Sequence, residues 1–203
     1  MAFYNADNDS TSFSISWVRT PRYHFGVFAQ GYRFAANSVA KELIECGDFP
    51  DYKAYPVVFL YRHALELHLK NIIYRVAKLL FFKGIERIDN KLYNTHDLND
   101  LSQNAYKVLT SAFPEDETLR KLLIKVVHIS EEFSEIDNNS FAYRYPINKE
   151  GQYSTKPNQV VNLSSLVSTM DSLLDELEVI DCGLNIETDI AQEAYAILEN
   201  ISN

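Results

Sequence analysis

Basic residues are in deficit in this chain: 19 lysines and arginines stand against 28 aspartates and glutamates over 203 residues, a formal charge of −9. That balance argues against a protein wrapped extensively around nucleic acid, because phosphate affinity comes largely from Lys and Arg neutralising the backbone. It leaves room for a local basic patch. Cysteine is nearly absent, and the two present, Cys46 and Cys182, each sit at the predicted end of a helix without CxxC spacing or a neighbouring histidine. A zinc site is therefore not expected, and neither a metal nor a cofactor is assigned. No stretch of about 18 apolar residues occurs, and no apolar run follows a basic start. The sequence thus predicts neither a membrane span nor a signal peptide, and a cytoplasmic location. Six glycines form no phosphate-cradling loop, and no Ser-His-Asp or paired-Cys signature appears, so broad enzyme classes lose their usual support. Internal repeats and low-complexity tracts are also missing.

What is present suits one globular domain with appendages, since 46% hydrophobic residues in a chain of this length can bury a sizeable core. Residues 1–24 read as an arm, with Phe13-Ser14-Ile15-Ser16-Trp17 alternating as a short strand. From Phe25 to Cys46, Phe28, Tyr32, Ala35, Val39 and Leu43 recur at helical spacing, and Gly47 supplies the stop. The next helix runs from Pro56 to Phe82 with Gly84 as terminator. Its apolar residues occupy two faces, Val58, Tyr61, Leu65 and Leu69 on one and Leu60, Ala64 and Leu67 on the other, which places it in the middle of a bundle. Asn94-Thr95-His96-Asp97 caps a third helix to about Ala112, and Pro114-Glu115-Asp116-Glu117 starts a fourth. Residues 137–161 mix turn formers with aromatics and predict a structured loop or short hairpin, of a length that is often functional. A fifth helix is predicted to end at Gly183, with a short sixth over 188–201. The resulting expectation is all-α: four to five main helices, an arm at 1–24, a bundle at 25–183 and a helical extension at 184–203.

Three segments carry a family resemblance: Ala64-Leu65-Glu66-Leu67-His68-Leu69-Lys70 on the long helix, His96-Asp97-Leu98-Asn99-Asp100-Leu101 opening the next, and Tyr143-Arg144-Tyr145-Pro146 after a further helix. Their succession over roughly residues 25–180 resembles the HEPN superfamily of bacterial helical domains. The resemblance implies a helical bundle that usually forms a homodimer, found in toxin–antitoxin and phage-defence systems, with many members acting as metal-independent endoribonucleases. The family signature is an Arg followed after four to six residues by a His, and here Arg62 and His68 meet that spacing. By resemblance Arg62 would bind the phosphate and His68 would exchange a proton, with His63 and Glu66 in support. The signature lies on a later helix in the family, whereas here it lies on the central one. Helix geometry also points Arg62 and His68 roughly 120° apart, so convergence would need two copies meeting across a symmetric interface.

Each candidate has a plainer reading. Glu66 lies one turn from both Arg62 and Lys70 and can serve simply as an ion-pair partner. His96 and Asp97 are neighbours that do not face each other on a helix, so capping explains them better than acid–base chemistry. His128 with Glu131, Glu132 and Glu135 reads as a solvated acidic face rather than a metal cluster. Tyr143, Arg144 and Tyr145 could bind a ligand, Arg144 pairing with phosphate and the tyrosines stacking on bases, or could anchor the loop by aromatic burial. Three roles follow: an RNA-cleaving effector, a non-catalytic module that binds a partner protein, and a nucleotide or small-ligand sensor.

Overall fold

The computed structural model describes residues 24–47, 51–84, 95–137, 140, 142–155 and 159–202, and within them the chain forms five α-helices. These are α1 (Phe25–Cys46), α2 (Ala54–Phe82), α3 (Leu98–Ala112), α4 (Glu117–Ser134) and α5 (Leu163–Ser202), with a 3-10 turn at Asp51–Lys53 leading into α2. Among the described residues there is no strand, so the expected all-α bundle is what the chain forms. The proposed strand at Phe13–Trp17 lies outside the described residues.

α2 packs against α1, α3 and α5, while α4 packs against α3. Ten consecutive residues of α2, Ala64 to Ile73, are buried, which a helix achieves only with neighbours all round. The two apolar faces legible in the sequence are the cause. α1 is phased differently from expectation. Ala29, Ala36, Ala40 and Leu43 face inward, whereas Phe28 and Val39 stay exposed. Small side chains on the contact face let one helix approach another closely, and Gly26 reinforces this, since a Cβ there would come within 3.2 Å of Asn71 Nδ2.

Local chemistry sets the helix ends. Gly47 takes a left-handed conformation (φ 69°) after α1. Asp97 caps α3 by accepting hydrogen bonds from the backbone N–H groups of Asn99 and Asp100, and Asp116 caps α4 through Leu119 N–H. The segment after α4 is built of turns, with one isolated antiparallel bridge between Ile147 and Tyr153. Ser154 N–H donates to Pro146 O at 3.0 Å, and Gly151 (φ 77°) makes the reversal.

The predicted break at Gly183 does not occur: α5 is one helix of 40 residues, about 60 Å long, and position 183/184 falls in its interior. An interior glycine costs only about 1 kcal/mol. Burial of Leu177, Leu184, Thr188 and Ala191 on both sides of it outweighs that cost. Among the described residues nothing lies within 4 Å of a Cβ placed at Gly183. Gly183→Ala is therefore expected to stabilise the chain by roughly 0.5–1 kcal/mol in urea melts, and Gly183→Pro to destabilise it by about 3 kcal/mol. A helix interrupted at 183 would show neither effect.

Candidate functional site

Glu66, on the buried middle of α2, gathers cations on both of its oxygens. Lys70 Nζ donates to Oε1 at 2.8 Å and Arg62 Nη1 to Oε2 at 3.2 Å, each one helical turn away. His96, arriving from the residues before α3, places its Nδ1 2.8 Å from Oε1, and His63 Nδ1 lies 3.8 Å from Oε2. Burial alone would raise the Glu66 pKa. Its contacts with His63, Lys70 and His96 overcome that penalty and hold it at about 2.

Arg62 is fully buried (0% exposed). Its Nη2 donates to the carbonyl oxygens of His96 (2.7 Å) and Asp137 (3.3 Å), and its Nε lies 3.7 Å from the Asp137 carboxylate. The guanidinium thus ties α2 to the start of α3 and the end of α4, and its charge is met by Glu66 and Asp137. His68 is also inside, at 1% exposed, and neither ring nitrogen has a hydrogen-bond partner among the described residues. Burial, with the charge of Arg33 on α1 adding to it, pushes the His68 pKa down to about 4. Arg62 therefore faces α3 and the loop while His68 sits within reach of Arg33. Within one chain the two sequence-predicted catalytic residues are not brought together.

Arg33 belongs to a second polar cluster that the sequence did not signal. It pairs with Asp171 (3.0 Å) and Asp175 (2.7 Å) on α5, while Asn37 donates to Asp171 and the Tyr61 hydroxyl donates to Asn37 Oδ1 (2.8 Å). Burial, and then the nearby Asp171 charge, raises the Tyr61 pKa well above the usual phenol range. This cluster fixes α1, α2 and α5 to one another.

Beside the Glu66 cluster, through His63, stand Arg144 and a group of aromatic rings. Arg144 is exposed, with its Nε hydrogen-bonded to Ser140 O. Its guanidinium lies 5.7 Å from the Phe59 ring centroid and 6.0 Å from that of Tyr145. Phe59 stacks in parallel on His63 (5.7 Å, 8°), and Tyr32 meets His63 edge-on at 4.4 Å. Tyr143 packs edge-on against Tyr55 at 6.4 Å, and burial beside Asp137 raises its pKa to about 12. His96, which shares Glu66 with His63, has a side chain 57% exposed. No carboxylate pairs with Arg144 among the described residues.

Of the predicted binding residues, Tyr143 anchors the loop while Arg144 and Tyr145 are exposed. Two residues here, Phe59 and His96, were not predicted as binding residues. Phe59 and His63 could have been found as an i,i+4 pair of rings. His96 could not, because it reaches Glu66 from another element. His128 pairs only loosely with Glu131, at 3.6 Å on an exposed face, and no group of three metal-ligating side chains occurs among the described residues. No family model, curated protein or solved structure matches the chain.

Two outcomes follow from the buried groups. Glu66→Gln leaves Lys70 without a counter-charge and Arg62 with only one, and is expected to destabilise the fold by about 3–5 kcal/mol in denaturant titration. For His68, the unfolded chain binds a proton near pH 6.5 and the folded chain only near 4. Stability therefore falls as pH is lowered through that window, by roughly 3 kcal/mol across it. Melts of His68→Leu should lack this part of the acid dependence, and an unchanged profile would contradict the assignment.

Proposed function

We propose that the chain binds a phosphate-bearing ligand, a nucleotide or a single RNA strand, on the face formed by Arg144, Tyr145, Phe59, His63 and His96. The observation that carries this reading is Arg144, an exposed guanidinium set against two aromatic rings and left without a carboxylate partner among the described residues. Arginine fits phosphate through paired N–H groups, and exposed rings offer stacking surface to any base. The resemblance to HEPN domains supports the same class of ligand. Arg62 does not serve this role, because its charge is already met by Glu66 and Asp137 inside the protein.

A second reading, in which the bound strand is cut, is favoured by the pairing of His96 with Glu66. A carboxylate that accepts the proton on Nδ1 leaves Nε2 as the proton acceptor of a largely exposed ring, the arrangement a general base requires. Such cleavage would need no metal.

Fluorescence anisotropy with labelled single-stranded RNA and calorimetry with a nucleotide panel test both readings. Binding is expected to weaken with salt and to drop at least tenfold in Arg144→Ala, with melting behaviour retained because the side chain is exposed. Flat responses to every ligand would overturn the proposal. Cleavage abolished by His96→Ala but not by a mock exposed substitution would establish the second reading, and intact RNA would leave binding alone.

A further inference from the structure

The bundle-facing side of α5 carries Met170, Leu173, Leu174, Leu177, Leu184, Thr188 and Ala191, all buried. On the opposite side Val179, Ile186, Ile190 and Ile197 are 58 to 72% exposed. Their spacing of seven, four and seven residues aligns them within about 40° of one line along the helix. Gly183 lies beside the same line, with no described residue within 4 Å of a Cβ placed there. Isolated exposed aliphatics are ordinary, but four in register on the side of a helix directly away from its core form a ridge of the kind that docks another helix.

Charge decides what that helix is. α5 contains nine aspartates and glutamates (171, 175, 176, 178, 181, 187, 189, 193 and 199) and no Lys or Arg. Several are already neutralised from within the chain: Asp171 and Asp175 by Arg33, Glu176 by Lys125, Asp181 by Arg75 and, at 4.0 Å, Glu187 by Lys83. Asp189 and Glu193 are exposed, one turn apart on one shoulder of the ridge, and pair with no cation among the described residues. A second copy of α5 would bring these carboxylates against their own kind, and an anionic membrane surface would repel them.

We infer that the α5 ridge is a docking surface for an amphipathic helix of a partner protein with aliphatic residues on its seam and Lys or Arg on its flanks. The aliphatic ridge supplies the contact area, and Asp189 and Glu193 select the charge of the partner. This surface is separate from the Arg144 face and does not depend on it.

The probe is a pair of synthetic helical peptides with the same leucine seam, one flanked by lysines and the other by glutamates, titrated into the full chain by calorimetry. The lysine-flanked peptide is expected to bind, more weakly as salt rises, and the glutamate-flanked one at least tenfold more weakly. Ile186→Ser with Ile190→Ser should abolish binding, and Asp189→Asn with Glu193→Gln should weaken it about tenfold, all with unchanged melting curves because these side chains are exposed. Failure of the lysine peptide to bind, or equal affinity for both peptides, would overturn the inference. So would loss of a dimer in sedimentation, or loss of binding to zwitterionic vesicles, on substituting the ridge, because either would give it to a second copy or a lipid surface.

Discussion

A single carboxylate makes the centre of this protein feasible. Arg62 and Lys70 would each be prohibitively costly inside a helical bundle as isolated charges, because removing an ion from water is repaid only by a close counter-charge and satisfied hydrogen bonds. Glu66 stands one turn from each and supplies both. With Asp137 added, two anions face two cations, and the middle of α2 can be surrounded on every side. Arg62 then uses Nη2 on the carbonyls of His96 and Asp137. The charge that is neutralised within α2 thereby fixes where α3 begins and where the loop bearing Tyr143, Arg144 and Tyr145 departs. Core and candidate site share one electrostatic origin.

The ion pairing of Glu66 was legible in the sequence, since i,i+4 spacing on a helix is a local property. Its depth was not, because burial is decided by what the other helices cover. The same division explains the rest. Two apolar faces on α2 correctly placed it at the centre, and Asp97 correctly read as a cap. The inward face of α1 differs from its hydrophobic pattern because the large residues Phe28 and Val39 outrank Ala36 and Ala40 on any hydrophobicity count, whereas close helix approach favours the alanines. Local propensity makes Gly183 a terminator, but burial on both sides of it keeps the helix continuous.

The Arg62 and His68 pair shows how little a spacing rule contains. Six residues along a helix fix a separation and an angle, but not the surroundings that set whether a guanidinium can take a phosphate or an imidazole can carry a proton. Here Arg62 is neutralised and His68 is desolvated without a partner among the described residues, so each lacks the state that phosphodiester chemistry would ask of it. His96 has the opposite circumstances: exposed, and oriented by a carboxylate. Two histidines of one chain are given opposite surroundings by the fold, one enclosed and one open beside a carboxylate.

The net charge of −9 also becomes intelligible once it is divided by element. Nine of the carboxylates lie on α5, where Arg33, Arg75, Lys83 and Lys125 lean across from the other helices to meet them. Those cations are occupied in holding α5 to the bundle. Arg144 belongs to none of these pairs and packs instead on Phe59, in the N-terminal half of α2. An acidic protein can therefore keep an exposed arginine at one place and an acidic, aliphatic ridge at another, because screening confines the influence of exposed charges to about 10 Å. The overall sign of the chain constrains its solubility, while the character of each surface is set by charges that short distances isolate.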